Sequence, residues 1–168
     1  VQMRGESKAG RDVAAQNILA MKAEQYDHIV TLCASCASHL KKGYPKLLAD
    51  RPGLAARAED FAAKVLPFSS LMVDVLELDA ARYAPGSDRV TYHAPCHLCR
   101  GLGVREAPRT LIDKSGHRYT PAAEEETCCG FGGTYSTKFP RISAEILESK
   151  LKDFQATGAK KLVTECPG

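Results

Sequence analysis

Three segments of this chain follow one plan: a short run rich in β-branched and apolar residues that gives out at a cysteine. Residues 27–32 stop at Cys33, residues 89–93 are followed by Pro95 and Cys96, and residues 161–165 stop at Cys166. Each run has the length and composition of a short strand. Helical spacing fills the intervals. Val13, Ala14, Asn17, Ile18 and Met21 mark a helix over 8–25, and a second follows the first strand to about Leu48. Pro52 opens a third helix that runs to about Val65, and Ser69 or Ser70 caps a fourth through Leu78. Helices over 106–114 and 140–157 bracket a short strand at 117–120. The last helix carries Ile142, Ile146, Leu147, Leu151 and Phe154 on one face and is ended by Gly158. Strands alternating with helices predict an α/β fold with short parallel sheets and crossover helices. Ligands of such sheets bind beyond the carboxyl ends of the strands, where Cys33, Cys96 and Cys166 stand.

Two of these units superimpose in sequence. With Cys33 set on Cys166, an offset of 133 residues, Val13 falls on Ile146, Ala14 on Leu147, Ile18 on Leu151 and Met21 on Phe154. Residues 29–31 then fall on 162–164. Helix, strand and cysteine coincide, which is the signature of an internal duplication. The clearest linker, residues 84–87, divides the chain into 1–84 and 85–168. In the same register, Cys36 corresponds to the position after Gly168, and Cys128 and Cys129 correspond to positions before Val1. Together with the absence of an initiator methionine, this leads us to expect a longer duplicated protein whose first unit is truncated here.

The second constraint is the run Thr127-Cys128-Cys129-Gly130-Phe131-Gly132-Gly133. Adjacent Cα atoms lie about 3.8 Å apart, below the roughly 4.4–6.8 Å of ordinary disulfides. A bond between these two sulfurs, or their sharing of one zinc, would be strained. Two adjacent thiolates suit a multi-iron cluster, because each ligates a different metal atom. The neighbouring glycines allow a close backbone approach, with N–H groups free to face sulfur. The seven cysteines are odd in number, and nothing at the start reads as a signal peptide, so a disulfide scaffold is disfavoured and a reducing compartment expected. The formal net charge of +3 comes without a basic block, which gives no footprint for nucleic acid. No apolar run reaches the length of a membrane span.

The runs Tyr92-His93-Ala94-Pro95-Cys96-His97-Leu98 and Cys128-Cys129-Gly130-Phe131-Gly132-Gly133-Thr134, with Cys166 after them, resemble the motifs of the cysteine-rich CCG domain family. The likeness covers essentially the whole chain. It is nearest to the iron–sulfur subunits of lactate and glycolate oxidation, with heterodisulfide reductase subunits as wider relatives. The resemblance implies two similar Rossmann-like units and an iron–sulfur cluster of the 4Fe-4S type, in some members a non-cubane form. Carried over by position, Cys96, Cys128, Cys129 and Cys166 would be ligands, and Cys33 and Cys36 the closing pair of the preceding site. It also implies a subunit or domain of an oxidoreductase complex, cytoplasmic or on the inner face of the membrane. Its partners would be a flavin-containing dehydrogenase subunit and other iron–sulfur subunits.

Other readings of the same residues stay open. Thiolates are soft ligands that also select zinc, and Cys96, Cys99, Cys128 or Cys129, and Cys166 would make a tetrahedral set. That reading ends in a zinc-stabilised interaction module. The heterodisulfide relatives imply a cluster that binds a substrate sulfur directly. Cys33 and Cys36 have the spacing of a thioredoxin-like dithiol, which leaves the other cysteines unexplained. Cys99 departs from the family pattern and reads equally as an extra ligand or a half-buried thiol. His93, His97 and Arg100 flank Cys96 as hydrogen-bonding or charge-tuning neighbours, or as structural and surface residues. Tyr135 and Lys138 follow the glycine run and either line the site or pack and solvate. Residues 101–104 are only a weak fragment of a phosphate loop. The acidic stretch 124–126 reads as a solvated loop.

Overall fold

The computed structural model describes residues 7–79 and 86–167. Packing divides the chain into two compact units, Val1–Pro67 and Phe68–Gly168. Of the linker expected at 84–87, Ala84 and Pro85 lie outside the described residues.

The first unit opens with α1 (Ser7–Met21) and β1 (Ile29–Thr31). Then α2 (Ala34–Ser38) continues through a π-helical turn (His39–Gly43) into α3 (Tyr44–Leu48), and α4 (Ala55–Lys64) leads into β2 (Val65–Pro67). The two strands pair in parallel, Ile29 opposite Val65 and Thr31 opposite Pro67. Helix α1 turns Gly10, Ala14, Ala15 and Ile18 inward, whereas Val13 and Met21, which helical spacing put on the apolar side, are exposed. Small residues let α1 lie close to α3, where Asn17 donates to the Tyr44 hydroxyl at 2.6 Å. Tyr44 stacks on Phe61 at 5.9 Å between ring centres. Phe61, Leu48, Ile18 and Val65 are fully buried, and each contributes roughly 1.5–3 kcal/mol of burial.

The second unit begins with α5 (Phe68–Ser70) and a π-helical turn (Leu71–Val75), followed by β3 (Arg89–Tyr92). A π-helical turn (His97–Leu102), α6 (Glu106–Lys114) and β4 (Arg118–Tyr119) come next, then α7 (Thr134–Lys138), α8 (Pro140–Ala156) and β5 (Lys161–Val163). The sheet is parallel in the order β4-β3-β5, with Val90 opposite both Tyr119 and Lys161. Its core joins Val90, Tyr92, Ala94, Cys99 and Ile112, with Tyr119 and Val163 against them. The α/β class with short parallel sheets is therefore as the alternation predicts. The repeated plan is visible too: α1, β1 and Cys33 in one unit, α8, β5 and Cys166 in the other.

The structure departs from the sequence expectation at β2 and at α8. Val65 starts a strand instead of ending a helix, because residues 65–67 find a parallel partner in β1. The expected apolar face of α8 is buried at Phe154 only, and Ile142, Leu147 and Leu151 are exposed. Lys150, which falls at helical spacing between Ile146 and Phe154, is buried with Phe154. Among the described residues no helix is long and apolar enough to cross a membrane.

Candidate metal centre

Three adjacent parallel strands deliver the cysteines of the second unit. The β3–β5 ladder continues one step past β3, where the His93 N–H donates to the Val163 carbonyl at 2.9 Å. Past that point the chain turns through Pro95 to Cys96, which begins the π-helical turn. The Thr120 N–H donates to the Val90 carbonyl at 2.8 Å, so the chain leaves β4 directly into the loop that carries Cys128 and Cys129. Cys166 follows β5. Its position is fixed by its neighbour, since the Glu165 carboxylate accepts the Ser69 N–H at 2.9 Å and the Ser69 hydroxyl at 2.7 Å. The sequence suggested Ser69 as a helix cap; its hydroxyl and N–H bind a carboxylate 96 residues away instead.

The four thiols share one electrostatic environment. Burial pushes the Cys96 thiol up from its ordinary value, and negative charge on Cys128, and more weakly on Cys129 and Cys166, pushes it further, against the His97 N–H. Mutual repulsion of this kind is what a bound cation relieves, and metal binding displaces the thiol protons. The donor set, four thiols with Cys128 exposed and the others half-buried, fits a soft metal or an iron–sulfur cluster. Among the described residues no three His, Cys, Asp or Glu side chains gather around the position of a single ion. None of the cysteines is in a disulfide.

The glycines of the double-cysteine loop serve two purposes. Gly130 has φ +85°, and a Cβ there would stand 2.6 Å from the Ser143 carbonyl oxygen and 3.0 Å from the Ile146 Cβ. Its close approach is thus to the backbone of α8. Its own N–H faces sulfur as expected, donating to the Cys128 Sγ at 3.3 Å, while its carbonyl accepts the Ser143 hydroxyl at 2.9 Å. Gly133 adopts φ +60° and ψ −109° ahead of α7 with open space around it, so backbone conformation alone requires glycine there.

The acidic stretch before the cysteines is not the solvated loop its composition suggests. Glu125 is 7% exposed. Its carboxylate accepts Arg109 at 2.6 Å and the Tyr119 hydroxyl, and its carbonyl accepts the Ala94 N–H at 3.3 Å. Glu126 pairs with Arg105, which holds its carboxyl below the usual range. The Arg109 guanidinium lies 5.8 Å from the centre of the Tyr92 ring. Asp153 on α8 accepts the N–H groups of Ala123 and Glu124, both at 3.0 Å. The loop is therefore tied to α6, β3, β4 and α8 before it reaches Cys128.

The flanking residues divide. His97 Nδ1 lies 3.7 Å from the Cys96 sulfur. His93 is 9% exposed, packs edge-on to Phe154 at 6.0 Å, and leaves Nδ1 without a hydrogen-bond partner among the described residues. Burial, and then the Lys150 charge, push it down to about 4. Arg100 donates to the Glu126 carbonyl at 3.1 Å, so it braces the loop. Cys99 is 2% exposed within the core, apart from a surface ligand set that would include it. Residues 101–104 end the π-helical turn, where the Val104 N–H donates to the Leu98 carbonyl at 3.1 Å. Tyr135 packs against Phe139 at 5.3 Å, and Lys138 is exposed.

Cys33 and Cys36 lie in the first unit, past β1. Cys33 precedes α2, its sulfur accepting the Cys36 N–H at 3.4 Å and standing 3.1 Å from the Ser35 hydroxyl. Burial alone would raise this thiol; the hydrogen bonds from Ser35 and Cys36 outweigh it and hold the thiol below its ordinary value.

Known proteins carry the same pattern. The chain is 39% identical to lactate utilization protein A of Shouchella clausii over 138 residues, 82% of this chain and 57% of that protein. Its identity to lactate utilization protein A of an Exiguobacterium species is 34% over 161 residues, 95% of this chain and 64% of that protein. It is also 38% identical to the uncharacterized protein YkgE of Escherichia coli, over 81% of this chain and 56% of that protein. The chain thus spans less than two thirds of the length of these relatives. The cysteine-rich domain model of the CCG family matches residues 2–41 and 90–168, which takes in both copies of the helix–strand–cysteine plan. With its double cysteine and glycine at 128–130 and its flanking thiols past parallel strands, the chain belongs to the cysteine-rich CCG domain family.

Proposed function

We propose that this chain is the iron–sulfur electron-transfer part of a system that oxidises a 2-hydroxy acid, lactate or glycolate. The observation that carries this reading is that four cysteines follow the ends of three adjacent parallel strands, Cys96 after β3, the Cys128–Cys129 loop after β4 and Cys166 after β5. Cys96, Cys128, Cys129 and Cys166 would hold the cluster, which is of the 4Fe-4S type. Cys33 and Cys36 would serve a second site in the manner of a duplicated protein, with residues 1–84 and 85–168 as its two CCG-type units; the two stretches of family likeness support this. When bound, the cluster supplies one-electron redox chemistry at a potential set by its ligands, nearby charge and hydrogen bonds. This chain's residues do the rest. The Gly130 N–H aims at the Cys128 sulfur, His97 stands beside the Cys96 sulfur, and the Glu125–Arg109–Tyr119 network keeps the loop rigid.

Two of the relatives are named for lactate utilization, which supports the substrate class. The hydroxy-acid chemistry would belong to a flavin-containing partner subunit, with further iron–sulfur subunits in the same complex. Thiolate ligation of this kind fits the reducing cytoplasm. The test is anaerobic mixing of the full-length protein with a lactate-oxidising flavoprotein and lactate, followed by electron paramagnetic resonance. Lactate-dependent appearance of a reduced-cluster signal is expected. Its absence, together with turnover of a disulfide substrate, would replace this reading with a disulfide reductase.

A further inference from the structure

Lys150 is a charged residue that the chain buries. It is 3% exposed, on the stripe of α8 that carries Ile146 one turn before it and Phe154 one turn after it. Its ammonium donates to the Glu124 carbonyl and lies 4.8 Å from the centre of the Phe154 ring. The same carbonyl accepts the Thr127 N–H at 3.0 Å, so Lys150 closes on the turn that delivers Cys128. One helical turn on, Asp153 takes the N–H groups of Ala123 and Glu124. The charges that act on Lys150 come from Asp153 on its own helix and from Glu125, Glu124 and Cys129 on the loop. From the β3 side it faces His93, which is buried without a partner for Nδ1 among the described residues. A buried cation is expensive unless it is paired and hydrogen-bonded. The thiol whose charge acts on it is Cys129, one of the adjacent pair.

We propose that Lys150 is the positioning and charge-balancing residue of the double-cysteine loop: its ammonium fastens the turn at 124–127 to α8 and holds positive charge beside Cys129. The positioning half stands on the hydrogen bonds at the Glu124 carbonyl alone. The charge-balancing half rests on the cluster reading above. Fixed positive charge near an anionic cluster favours the reduced form, so it raises the reduction potential.

The test uses the full-length chain with Lys150→Met, Lys150→Gln and Lys150→Arg, and Lys152→Met as a control. Lys152 pairs with Glu148 on the exposed side of the same helix. The first readout is amide hydrogen exchange of residues 123–130 in the metal-free protein. Lys150→Met should lose at least tenfold in protection there, while Lys150→Gln, which keeps a donor for the Glu124 carbonyl, and Lys150→Arg should stay within threefold of wild type. The second readout is the midpoint potential of the loaded protein. Both neutral variants should shift it downward by a factor of ten in the one-electron equilibrium, about 59 mV, and Lys150→Arg should restore it. Should Lys150→Met fail to fold, Lys150→Gln alone decides the charge question. Unchanged exchange in Lys150→Met overturns the clamp. A potential unchanged within threefold in Lys150→Gln, or a downward shift in Lys152→Met as large, overturns the charge role. A wild-type protein that takes up no iron sinks the cluster reading and the charge role with it, and the exchange result still decides the clamp.

Discussion

Replacing Gly130 with alanine tests whether the double-cysteine loop is held by its contact with α8. Three costs follow from the geometry. At φ +85°, an L-residue loses about 1–2 kcal/mol relative to glycine. The new methyl would also sit 2.6 Å from the Ser143 carbonyl oxygen, against an ordinary carbon–oxygen contact of about 3.3 Å. Because that oxygen belongs to helix backbone, the loop has to move away by about 0.7 Å, at an overpacking cost of about 1–3 kcal/mol. The shift also stretches the bond from the Ser143 hydroxyl to the Gly130 carbonyl, worth about 1 kcal/mol. Gly130→Ala should therefore destabilise the protein by about 3–6 kcal/mol in urea unfolding of the metal-free form. Gly133→Ala is the comparison. It carries a backbone penalty of about 1–3 kcal/mol with nothing within 4 Å of the new methyl. Because Cys128 and Cys129 move with Gly130, the alanine variant should also bind substoichiometric iron. A Gly130→Ala protein within 0.5 kcal/mol of wild type with unchanged iron would refute the argument that this glycine exists to let the loop meet α8.

Other consequences can be measured as directly. Glu125→Ala leaves Arg109 and the Tyr119 hydroxyl without their buried acceptor and should cost about 2–4 kcal/mol in urea unfolding, the part-exposed Arg109 keeping the loss below that of a fully buried pair; a loss under 0.5 kcal/mol would mean the network is decorative. His93 is held neutral down to about 4, whereas in the unfolded chain it protonates near its ordinary value. Its contribution is thus fully present above about pH 6.5 and is lost as pH falls toward 4, by at most about 3 kcal/mol. In His93→Gln this acid limb of the stability profile should flatten, and an unchanged limb would assign it to other groups. Ser69→Ala removes one of two donors to Glu165 and should cost about 1–2 kcal/mol, with faster exchange around Cys166.

How much of this was legible in the sequence follows from what is local. Strand ends and cysteines could be read because period and turn residues sit next to each other, and the helix expected at about 106–114 is α6 (Glu106–Lys114). The parallel strand β2 was not, because an alanine-rich helical pattern runs straight into it and only its pairing with β1 makes residues 65–67 extended. The acidic stretch around Glu125 reads as solvated by residue type, and nothing local marks Lys150 as buried. Each is buried because a distant partner satisfies it, Glu124 in one case and Arg109 with Tyr119 in the other. For Cys99 the sequence left an extra ligand and a half-buried thiol equally open. The π-helical turn after Cys96 carries it into the core beside Tyr92 and Ile112. The four thiols of the second unit could be grouped from the family motif, but the supports that hold their loops span up to 96 residues and leave no local signature.

The central claim is that Cys96, Cys128, Cys129 and Cys166 together hold one iron–sulfur cluster. Iron and acid-labile sulfide analysis of the anaerobically purified full-length protein, repeated on Cys128→Ala and Cys129→Ala, tests it most directly. The account predicts a brown wild-type protein with several irons and equivalent sulfide per chain, and loss of those irons in both variants. A colourless protein with stoichiometric zinc, or a full complement of iron and sulfide in either variant, would contradict it.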